Sequence, residues 1–303
     1  MDQNRPLVTI GMPAYNEERY IVEALDSLLA QTFTDFELII SDNASTDQTY
    51  AICQEYARKD SRVVYQRQPE NVGARKNIQD LLKGAQSRYF MWAAADDVWD
   101  PKFLELLVHA LEADPKSASA FVLFVKMDED GNEISRHLTD YSGSNAVIRI
   151  AKFAYHHDDC CFYGLFRRDK IVDVQFPVWW GVNESTPLNT AYPMICYFLT
   201  VGNFCIIDDR PLFFKRTHKS SRWLSDVAAV AKKSISFAYY FAFVLRIINV
   251  FVFCLLWIYK ASRSVLLTLA VTPILMLRYL YIIISQTFIA FAKVVLVKSR
   301  RFY

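Results

Sequence analysis

Residues 8–49 read VTIGMPAYNEERYIVEALDSLLAQTFTDFELIISDNASTDQT, and this stretch predicts a strand, a helix and a second strand in that order. The apolar runs 7–10 and 36–40 suit buried strands. Between them, apolar residues recur at the spacing of one helix face, at Ile21, Leu25, Leu28 and Leu29. Polar loops follow both strands, at 13–18 and 41–45. Ligands of open α/β sheets bind at such carboxyl-end loops, so these two loops are the first candidate site.

The same alternation continues to about residue 113. Further strands are predicted near 62–66 and 88–92. The predicted helices lie near 18–30, 47–59, 74–84 and 101–113. Alternating strands and helices are typical of a mostly parallel sheet with helices on both faces. The predicted fold class is therefore α/β.

Charge is distributed unevenly along the chain. The net charge of +2 over 303 residues hides a basic tail, because residues 210–303 contain fifteen Lys or Arg and one acid, Asp226. A basic segment can indicate nucleic acid, but this one is also strongly apolar, which favours a membrane and argues against nucleic acid. We therefore expect an α/β domain at 1–225 and a hydrophobic helical membrane region at 226–303.

Two apolar stretches make up the tail. Residues 235–259 contain one charge, Arg246, and are long enough to span a bilayer core. Their many Ile, Leu, Val and Phe outweigh the cost of about 2.5–3.5 kcal/mol for a central arginine. Residues 264–297 are interrupted by Pro273 and Arg278. Two membrane spans are the favoured interpretation, and helices lying in the cytosolic interface with snorkelling cations are the alternative.

Cysteine spacing and the start of the chain bear on the compartment. The six cysteines show no spacing typical of a metal site, so free thiols in a reducing compartment are expected. Segment 1–6 is polar and shows no secretory signal. Both features favour a cytosolic position for the α/β domain.

Five short motifs follow one another along the α/β part. They read PAYNE at 13–17, DNASTD at 42–47, ENVG at 70–73, ADDVW at 95–99 and YGLFRR at 163–168. As an ordered set they resemble a family 2 glycosyltransferase, over roughly residues 5–222. The resemblance implies a Rossmann-like GT-A fold and inverting transfer from a nucleotide-activated sugar. It also implies assembly of bacterial cell-surface polysaccharide at the inner (plasma) membrane.

The resemblance and the chemistry of a nucleotide together indicate a donor site. Tyr15 can stack on a base, and Asp42 can accept a hydrogen bond from a uracil-type imide. Arg75 and Lys76 can face a diphosphate, since they follow Gly73, where close backbone approach is possible. The alternatives are that Asp42 only forms a turn and that the two cations only begin a solvated helix. The predicted donor-binding residues are Pro13, Ala14, Tyr15, Glu17, Asp42, Asn71, Gly73, Arg75 and Lys76.

The loop after the fourth strand predicts a divalent cation site for Mg²⁺ or Mn²⁺. The family usually carries Asp-x-Asp here, but Ala94 stands where the first Asp is expected, which leaves Asp96 as the ligand. Asp97 either shapes the turn or approaches the sugar. The resemblance implies that His218 folds back over the diphosphate or the metal. Alternatively, the two acids only cap the helix that begins at Pro101.

Inverting transfer needs a carboxylate that takes the proton of the acceptor hydroxyl. The resemblance indicates residues 190–191 for it, but no acid occurs there. Glu184 is the nearest candidate and is predicted as the base, with Asp97 as the second catalytic residue. Asp158 and Asp159 are secondary alternatives for the base.

The predicted function is transfer of a sugar from a nucleotide-diphosphate sugar to a glycan or polyprenyl-linked acceptor, with membrane lipid as a further partner. The missing first Asp and the missing base leave one alternative. The chain would then be a non-catalytic nucleotide-sugar-binding or scaffold protein of a membrane polysaccharide-assembly complex.

Overall fold

A computed structural model describes residues 5–138, 140–156, 158–176, 191–208, 210–218 and 237–299. The first half alternates strands and helices in the predicted order. Its elements are β1 (Val8–Ala14), α1 (Ile21–Leu29), β2 (Phe36–Asp42), α2 (Thr49–Lys59), β3 (Val63–Arg67), α3 (Ala74–Gly84), β4 (Tyr89–Trp92), β5 (Val98–Trp99) and α4 (Phe103–Ala113).

The second half of the chain contains shorter strands and longer helices. Its elements are β6 (Ser117–Val122), β7 (Phe124–Met127), β8 (Glu133–His137), α5 (Ala146–His156), a 3-10 helix (Cys160–Tyr163), β9 (Leu165–Arg167), α6 (Arg168–Ile171), α7 (Ala191–Val201), β10 (Asn203–Ile207), β11 (Phe213–Arg216), α8 (Phe237–Ser262) and α9 (Val265–Ser299).

A seven-stranded sheet forms the centre of the fold, in the order β10-β6-β9-β4-β1-β2-β3. Strand β1 pairs in parallel with β2 and β4, β2 pairs in parallel with β3, and β6 with β10. Only β9, inserted between β4 and β6, runs antiparallel to its neighbours in this sheet. The prediction of a mostly parallel α/β sheet is therefore confirmed, while the reversed strand was not predicted.

The parallel register gathers the candidate loops at one edge of the sheet. Ala14 at the end of β1 lies across from Asp42 at the end of β2, and Asp42 lies across from Arg67 at the end of β3. The polar loops that follow these strands therefore start side by side.

A second sheet of four strands, β5-β11-β7-β8, brings the end of the α/β part back to the same region. Strand β11 pairs antiparallel with β5, so that Phe213 lies across from Trp99, and in parallel with β7. Because β5 directly follows the Asp96–Asp97 loop, this pairing brings His218 close to that loop.

Gly11 allows α3 to pack closely on β1. A Cβ atom at this position would lie 2.9 Å from Phe90 Cζ and 3.1 Å from Leu81 Cβ. Both neighbours are buried, with at most 4 % exposure, and have little room to move. A side chain at position 11 would therefore separate layers of the core.

The two C-terminal helices pack on the α/β part. Helix α8 contacts α7, and α9 contacts both α8 and α5. Among the described residues, one segment is long and apolar enough to cross a membrane, Val265–Ile284 in α9.

We expect Gly11→Ala to lower the free energy of unfolding by about 1–3 kcal/mol, because the added methyl group overpacks the core. Thermal and urea unfolding of the full chain in detergent would measure the loss. Gly84→Ala is the matched control, since a Cβ there meets nothing within 4 Å. Equal losses for the two variants would contradict the packing explanation.

Candidate active site

Asp42 holds the turn after β2. Its Oδ1 accepts the backbone N–H of Ser45 at 2.9 Å, and its Oδ2 accepts the Tyr65 hydroxyl at 2.7 Å. Arg67 Nε lies 3.6 Å from the same Oδ2. The carboxylate retains lone pairs for a further donor, but its side chain is completely buried. A nucleobase can therefore reach Asp42 only if a neighbour such as Arg67, which is 40 % exposed, moves aside.

The end of β1 forms the adjoining wall. Pro13 and Ala14 pair with the last two residues of β2, and the Ala14 carbonyl accepts the N–H of Asn43 at 2.9 Å. Tyr15 follows, with 44 % of its surface exposed. Its ring is therefore available for stacking at the mouth of the site.

Asparagine side chains connect the β2 turn to the loop before α3. Asn43 Nδ2 donates to Asn71 Oδ1 at 2.8 Å, and Asn43 Oδ1 accepts the Val72 N–H at 2.9 Å. Asn71 Oδ1 also accepts the N–H of Gly73, whose φ of 82° lies in the range that favours glycine. Asn71 and Gly73 thus fix where α3 begins.

Arg75 and Lys76 lie in the first turn of α3, next to this loop. Lys76 Nζ pairs with Asp80 Oδ2 one turn further along the exposed face of the helix. Arg75 is half-buried. Lys76 can therefore contact a diphosphate only after it leaves Asp80.

The Asp96–His218 pair is the closest acid–imidazole contact of the site. His218 Nε2 lies 2.7 Å from Asp96 Oδ2, and His218 Nδ1 lies 3.8 Å from Glu129 Oε1. The hydrogen bond to Asp96 raises the pKa of His218 above its usual value, against the opposing effect of burial. Tyr20 packs its ring 5.2 Å from the imidazole ring.

Glu17 faces the same pair from the loop after β1. Burial raises the pKa of Glu17 to about 7, and the charge of Asp96 adds to this rise, while His218 opposes it. The Glu17 backbone N–H donates to Thr49 Oγ1 at 2.8 Å, which fixes the loop against α2. A donor-binding residue predicted from sequence therefore lies in the electrostatic field of the predicted metal ligands.

Arg216 connects the segments around this cluster. Its guanidinium is 2 % exposed, and it donates to the carbonyls of Asp96 at 2.9 Å and Glu129 at 3.1 Å and to Glu23 Oε2 at 2.5 Å. Its backbone N–H donates to Asp97 Oδ1 at 2.8 Å. One side chain, which the sequence analysis did not identify, thus holds together helix α1, the Asp96–Asp97 loop and the turn between β7 and β8. The feature of the sequence that pointed to this position was the basic pair Lys215–Arg216 just before His218.

Asp97 is buried below the loop. Its Oδ2 has no hydrogen-bond partner among the described residues. Burial and then the charge of Asp96 raise the pKa of Asp97 well above its usual value. Its contact with the Arg216 N–H is that of a residue that shapes the turn. Neither Asp96 nor Asp97 caps α4: its N-cap residue is Lys102, without a side-chain cap, and the Lys102 N–H donates to Asp100 Oδ1 at 2.8 Å in the preceding turn.

A second acidic group lies before the 3-10 helix. Asp158, Asp159 and Cys160 form the one cluster of three potential metal ligands, within 4.8 Å of one another, in the described parts of the chain. Asp158 accepts the Cys160 N–H at 2.8 Å and lies 3.2 Å from Lys126 Nζ. Asp159 lies 3.1 Å from Lys215 Nζ. Both carboxylates are thus matched by lysines, which makes the group a poor cation site.

Asp96 and His218 can supply two ligands to a divalent cation. A carboxylate oxygen and an imidazole nitrogen suit Mn²⁺, whereas Mg²⁺ prefers oxygen ligands alone. The cation would replace the proton that His218 and Asp96 share. Glu184, the predicted base, lies outside the described residues.

Comparisons with known proteins identify the family and the fold of the chain. A family profile described as "Glycosyl transferase family 2" matches residues 9–174. Chondroitin synthase of Escherichia coli is 35 % identical over 151 residues, which cover 50 % of this chain and 22 % of that protein. The putative teichuronic acid biosynthesis glycosyltransferase TuaG of Bacillus subtilis is 32 % identical over 134 residues, 44 % of this chain and 53 % of that protein.

An uncharacterized glycosyltransferase of Rickettsia prowazekii is 30 % identical over 160 residues, 52 % of this chain and 49 % of that protein. The chain spans about half the length of the curated relatives it matches, or less.

Two solved structures share the fold. TarS 1–349 of S. aureus in complex with UDP-GlcNAc has a TM-score of 0.59 at 16 % identity, over 84 % of this chain and 71 % of that chain. The mannosyltransferase PcManGT from Pyrobaculum calidifontis, in complex with GDP-Man and Mn²⁺, has a TM-score of 0.54 at 16 % identity, over 99 % and 82 %. The GT-A-like architecture expected from the sequence is therefore confirmed.

We expect Arg216→Lys to lower the free energy of unfolding by roughly 2–4 kcal/mol, because an ammonium group cannot replace the hydrogen bonds that the guanidinium makes to three separate segments. Thermal unfolding of the purified chain would measure the loss. Arg19→Lys is the matched control, since Arg19 is 61 % exposed and pairs only loosely with Glu129 and Asp130. Unchanged stability of Arg216→Lys would contradict the role of this side chain in holding the loops.

Proposed function

Because the chain belongs to glycosyltransferase family 2, we propose that it is an inverting glycosyltransferase that uses a nucleotide-diphosphate sugar. One observation carries the proposal. The acid–imidazole pair Asp96–His218 interacts electrostatically with Glu17, which lies in the loop that follows β1. A cation bound by this pair would therefore adjoin Tyr15 of the same loop, the proposed platform for the nucleobase. A diphosphate lying between the cation and the nucleobase would link the two halves of a donor site.

The donor half of the site is proposed as follows. Tyr15 stacks on the nucleobase, and Asp42 accepts a base N–H after Arg67 moves aside. Asn71 and Gly73 hold the loop along which the ribose and diphosphate lie. Arg75 and Lys76 then neutralise the phosphates. The nucleotide sugars bound by TarS and PcManGT support a nucleotide-sugar donor.

The metal half of the site depends on Asp96 and His218. A divalent cation bound there would supply Lewis-acid stabilisation for the departing diphosphate. Asp96 holds its carboxylate toward the imidazole, and Arg216 fixes the loop that carries it. Glu17 faces the same pair, and burial together with the charge of Asp96 raises its pKa. The Mn²⁺ in the complex of PcManGT supports a metal-dependent donor site.

Glu184 remains the proposed general base, with Asp159 as the alternative. Of the two adjacent acids, the Asp158 carboxylate accepts from both the Cys160 N–H and Lys126 Nζ, whereas the described hydrogen bond of the Asp159 carboxylate is the one from Lys215 Nζ. An acid that is held by one lysine can still accept a proton from an approaching hydroxyl.

The proposed acceptor is a glycan or a polyprenyl-linked glycan at the cytosolic face of the plasma membrane. The apolar helical segment Val265–Ile284 supports attachment to a membrane. Similarity to a chondroitin synthase and to the putative teichuronic acid biosynthesis glycosyltransferase TuaG supports a polysaccharide product.

We expect the purified chain with Mn²⁺ to release nucleoside diphosphate from one of the UDP-, GDP- or dTDP-sugars when membrane lipid extract is present. Asp96→Asn should lower this release by roughly 10²–10³-fold, because the cation loses its carboxylate. Asp130→Asn is the control, since Asp130 is exposed in the neighbouring turn and should retain full activity. Full activity of Asp96→Asn would exclude the proposed metal site.

Binding of a donor without release of nucleoside diphosphate would indicate a different function. If every donor binds in a metal-dependent way and none is consumed with any extract, the chain is a non-catalytic nucleotide-sugar-binding protein. Calorimetric titration with UDP and GDP separates this outcome from a chain that binds no nucleotide.

The identity of the base is tested by a pair of variants. We expect Glu184→Gln to lower the turnover number by about 10²–10⁴-fold without weakening donor binding, because the proton acceptor is lost. Asp159→Asn should retain most activity if Glu184 is the base. If instead Asp159→Asn loses activity at unchanged thermal stability while Glu184→Gln retains it, Asp159 is the base.

A further inference from the structure

The C-terminal helices α8 and α9 form a hairpin with a two-residue turn. Arg263 adopts a φ of 53°, and the Ser264 hydroxyl accepts the Leu267 N–H at 3.1 Å, which caps the start of α9. Across the hairpin, Tyr279 lies with its hydroxyl 3.4 Å from Cys254 Sγ and its ring 6.0 Å from that of Phe251. The two helices are therefore a packed antiparallel pair.

One side of the hairpin is covered by the α/β part. Trp257 of α8 meets Tyr197 of α7 edge-on, with ring centroids 6.0 Å apart, and Cys254 shares a hydrogen bond with Cys196 of α7. Helix α9 packs on α5. Val271 and Leu275 of α9 are buried on this side. Both helices thus contact the catalytic part.

The other side of the hairpin is exposed and apolar. In the apolar stretch within Val265–Ile284 of α9, only 17 % of the residues are buried inside the protein. Large apolar side chains recur there at helical spacing, far beyond what a water-exposed helix face carries. They are Ile248, Val252, Leu256 and Tyr259 in α8 and Leu266, Leu269, Met276, Leu277, Leu280, Tyr281 and Ile284 in α9. We call this surface the apolar stripe.

Polar groups of the covered side argue against a hairpin that crosses the bilayer. Helix α5, which packs on α9, carries Lys152 in an ion pair with Asp140 at 2.6 Å, and both are partly exposed. It also carries Arg149, which donates to the Leu199 carbonyl of α7 at 2.7 Å. A spanning hairpin would draw the partly exposed Lys152 and Asp140 toward the hydrocarbon, which disfavours charged groups.

Cations and aromatic rings border the apolar stripe. Arg278 Cζ lies 5.5 Å from the ring centroid of Tyr281, which is exposed, and Tyr259 and Arg263 are exposed where α8 ends. Trp257 itself faces the covered side, and Lys260 Nζ lies 4.3 Å from its ring centroid. Amphipathic aromatic rings and snorkelling cations are typical of the headgroup region, where a phosphate can accept from a guanidinium.

We infer that the hairpin lies in the plane of the bilayer surface, with the apolar stripe in the acyl boundary and the catalytic part resting on its other side. This inference deepens the membrane attachment of the proposed function and is independent of the transfer chemistry. The occupant of the stripe is lipid, and not a second copy of the chain. The alternative of two spans, favoured from sequence, would instead bring the turn at Arg263–Ser264 to the opposite face of the membrane.

Cysteine accessibility in sealed vesicles tests the inference. Val265→Cys places a thiol at the exposed start of α9 without changing Arg263 or Ser264. With a membrane-impermeant maleimide, we expect labelling from the cytosolic side in inverted vesicles and none in right-side-out vesicles. Arg58→Cys, on exposed α2, reports the sidedness of the catalytic part, and the wild-type chain reports background labelling.

Each other outcome overturns the inference. Labelling of Val265→Cys from the outside only would show two spans, and labelling from neither side would show a turn buried in hydrocarbon. Leu277→Cys, in the middle of the stripe, should react with a lipid-soluble maleimide and form no disulfide-linked dimer with an oxidant. A dimer would assign the stripe to a second copy. Recovery of the wild-type chain in the soluble fraction would refute membrane attachment itself. The proposed transfer activity is tested separately, by the release of nucleoside diphosphate.

Discussion

The buried guanidinium of Arg216 is the constraint on which the candidate site depends. It joins a carboxylate of α1, the carbonyl of Asp96 and a carbonyl of the β7–β8 turn, and its own backbone binds Asp97. A buried charge of this kind needs all of its partners, since each unmatched donor would carry the full cost of lost hydration. The three segments are therefore held in one relative position. His218, two residues further along the chain, meets Asp96 because of that position.

The first half of the fold and the position of its polar loops were predictable because their signals are local. The apolar runs of β1 and β2 and the helix face at Ile21–Leu29 specify a βαβ unit whatever follows them. Parallel pairing then brings the loop after β1 beside Asp42. The resemblance drew attention to Asn71, and the structure gives it a physical reason, because its side chain connects the β2 turn to the start of α3.

The remaining features depend on contacts that no local pattern encodes. Strand β9 is three residues long and is inserted antiparallel between β4 and β6, which its sequence alone does not indicate. In the sequence, Arg216 is one of several cations in a basic stretch. It is buried only because β11 pairs with β5. Hydropathy identified the C-terminal helices but could not tell which side of each is covered, because the covered and exposed sides are equally apolar. Glu184 lies outside the described residues, so its role remains a prediction.

The acid–imidazole contact of the site joins residues that are 122 positions apart in the chain, Asp96 and His218. Contacts of such separation form late, because the entropy of closing a long loop must be overcome before the contact can stabilise anything. During synthesis the loops after β1 and β2 can fold while β11 has not yet been made. The acid–imidazole pair would therefore form in one final step, when the end of the α/β part docks. A donor site that depends on this pair, as proposed above, would stay incomplete until β11 has been made.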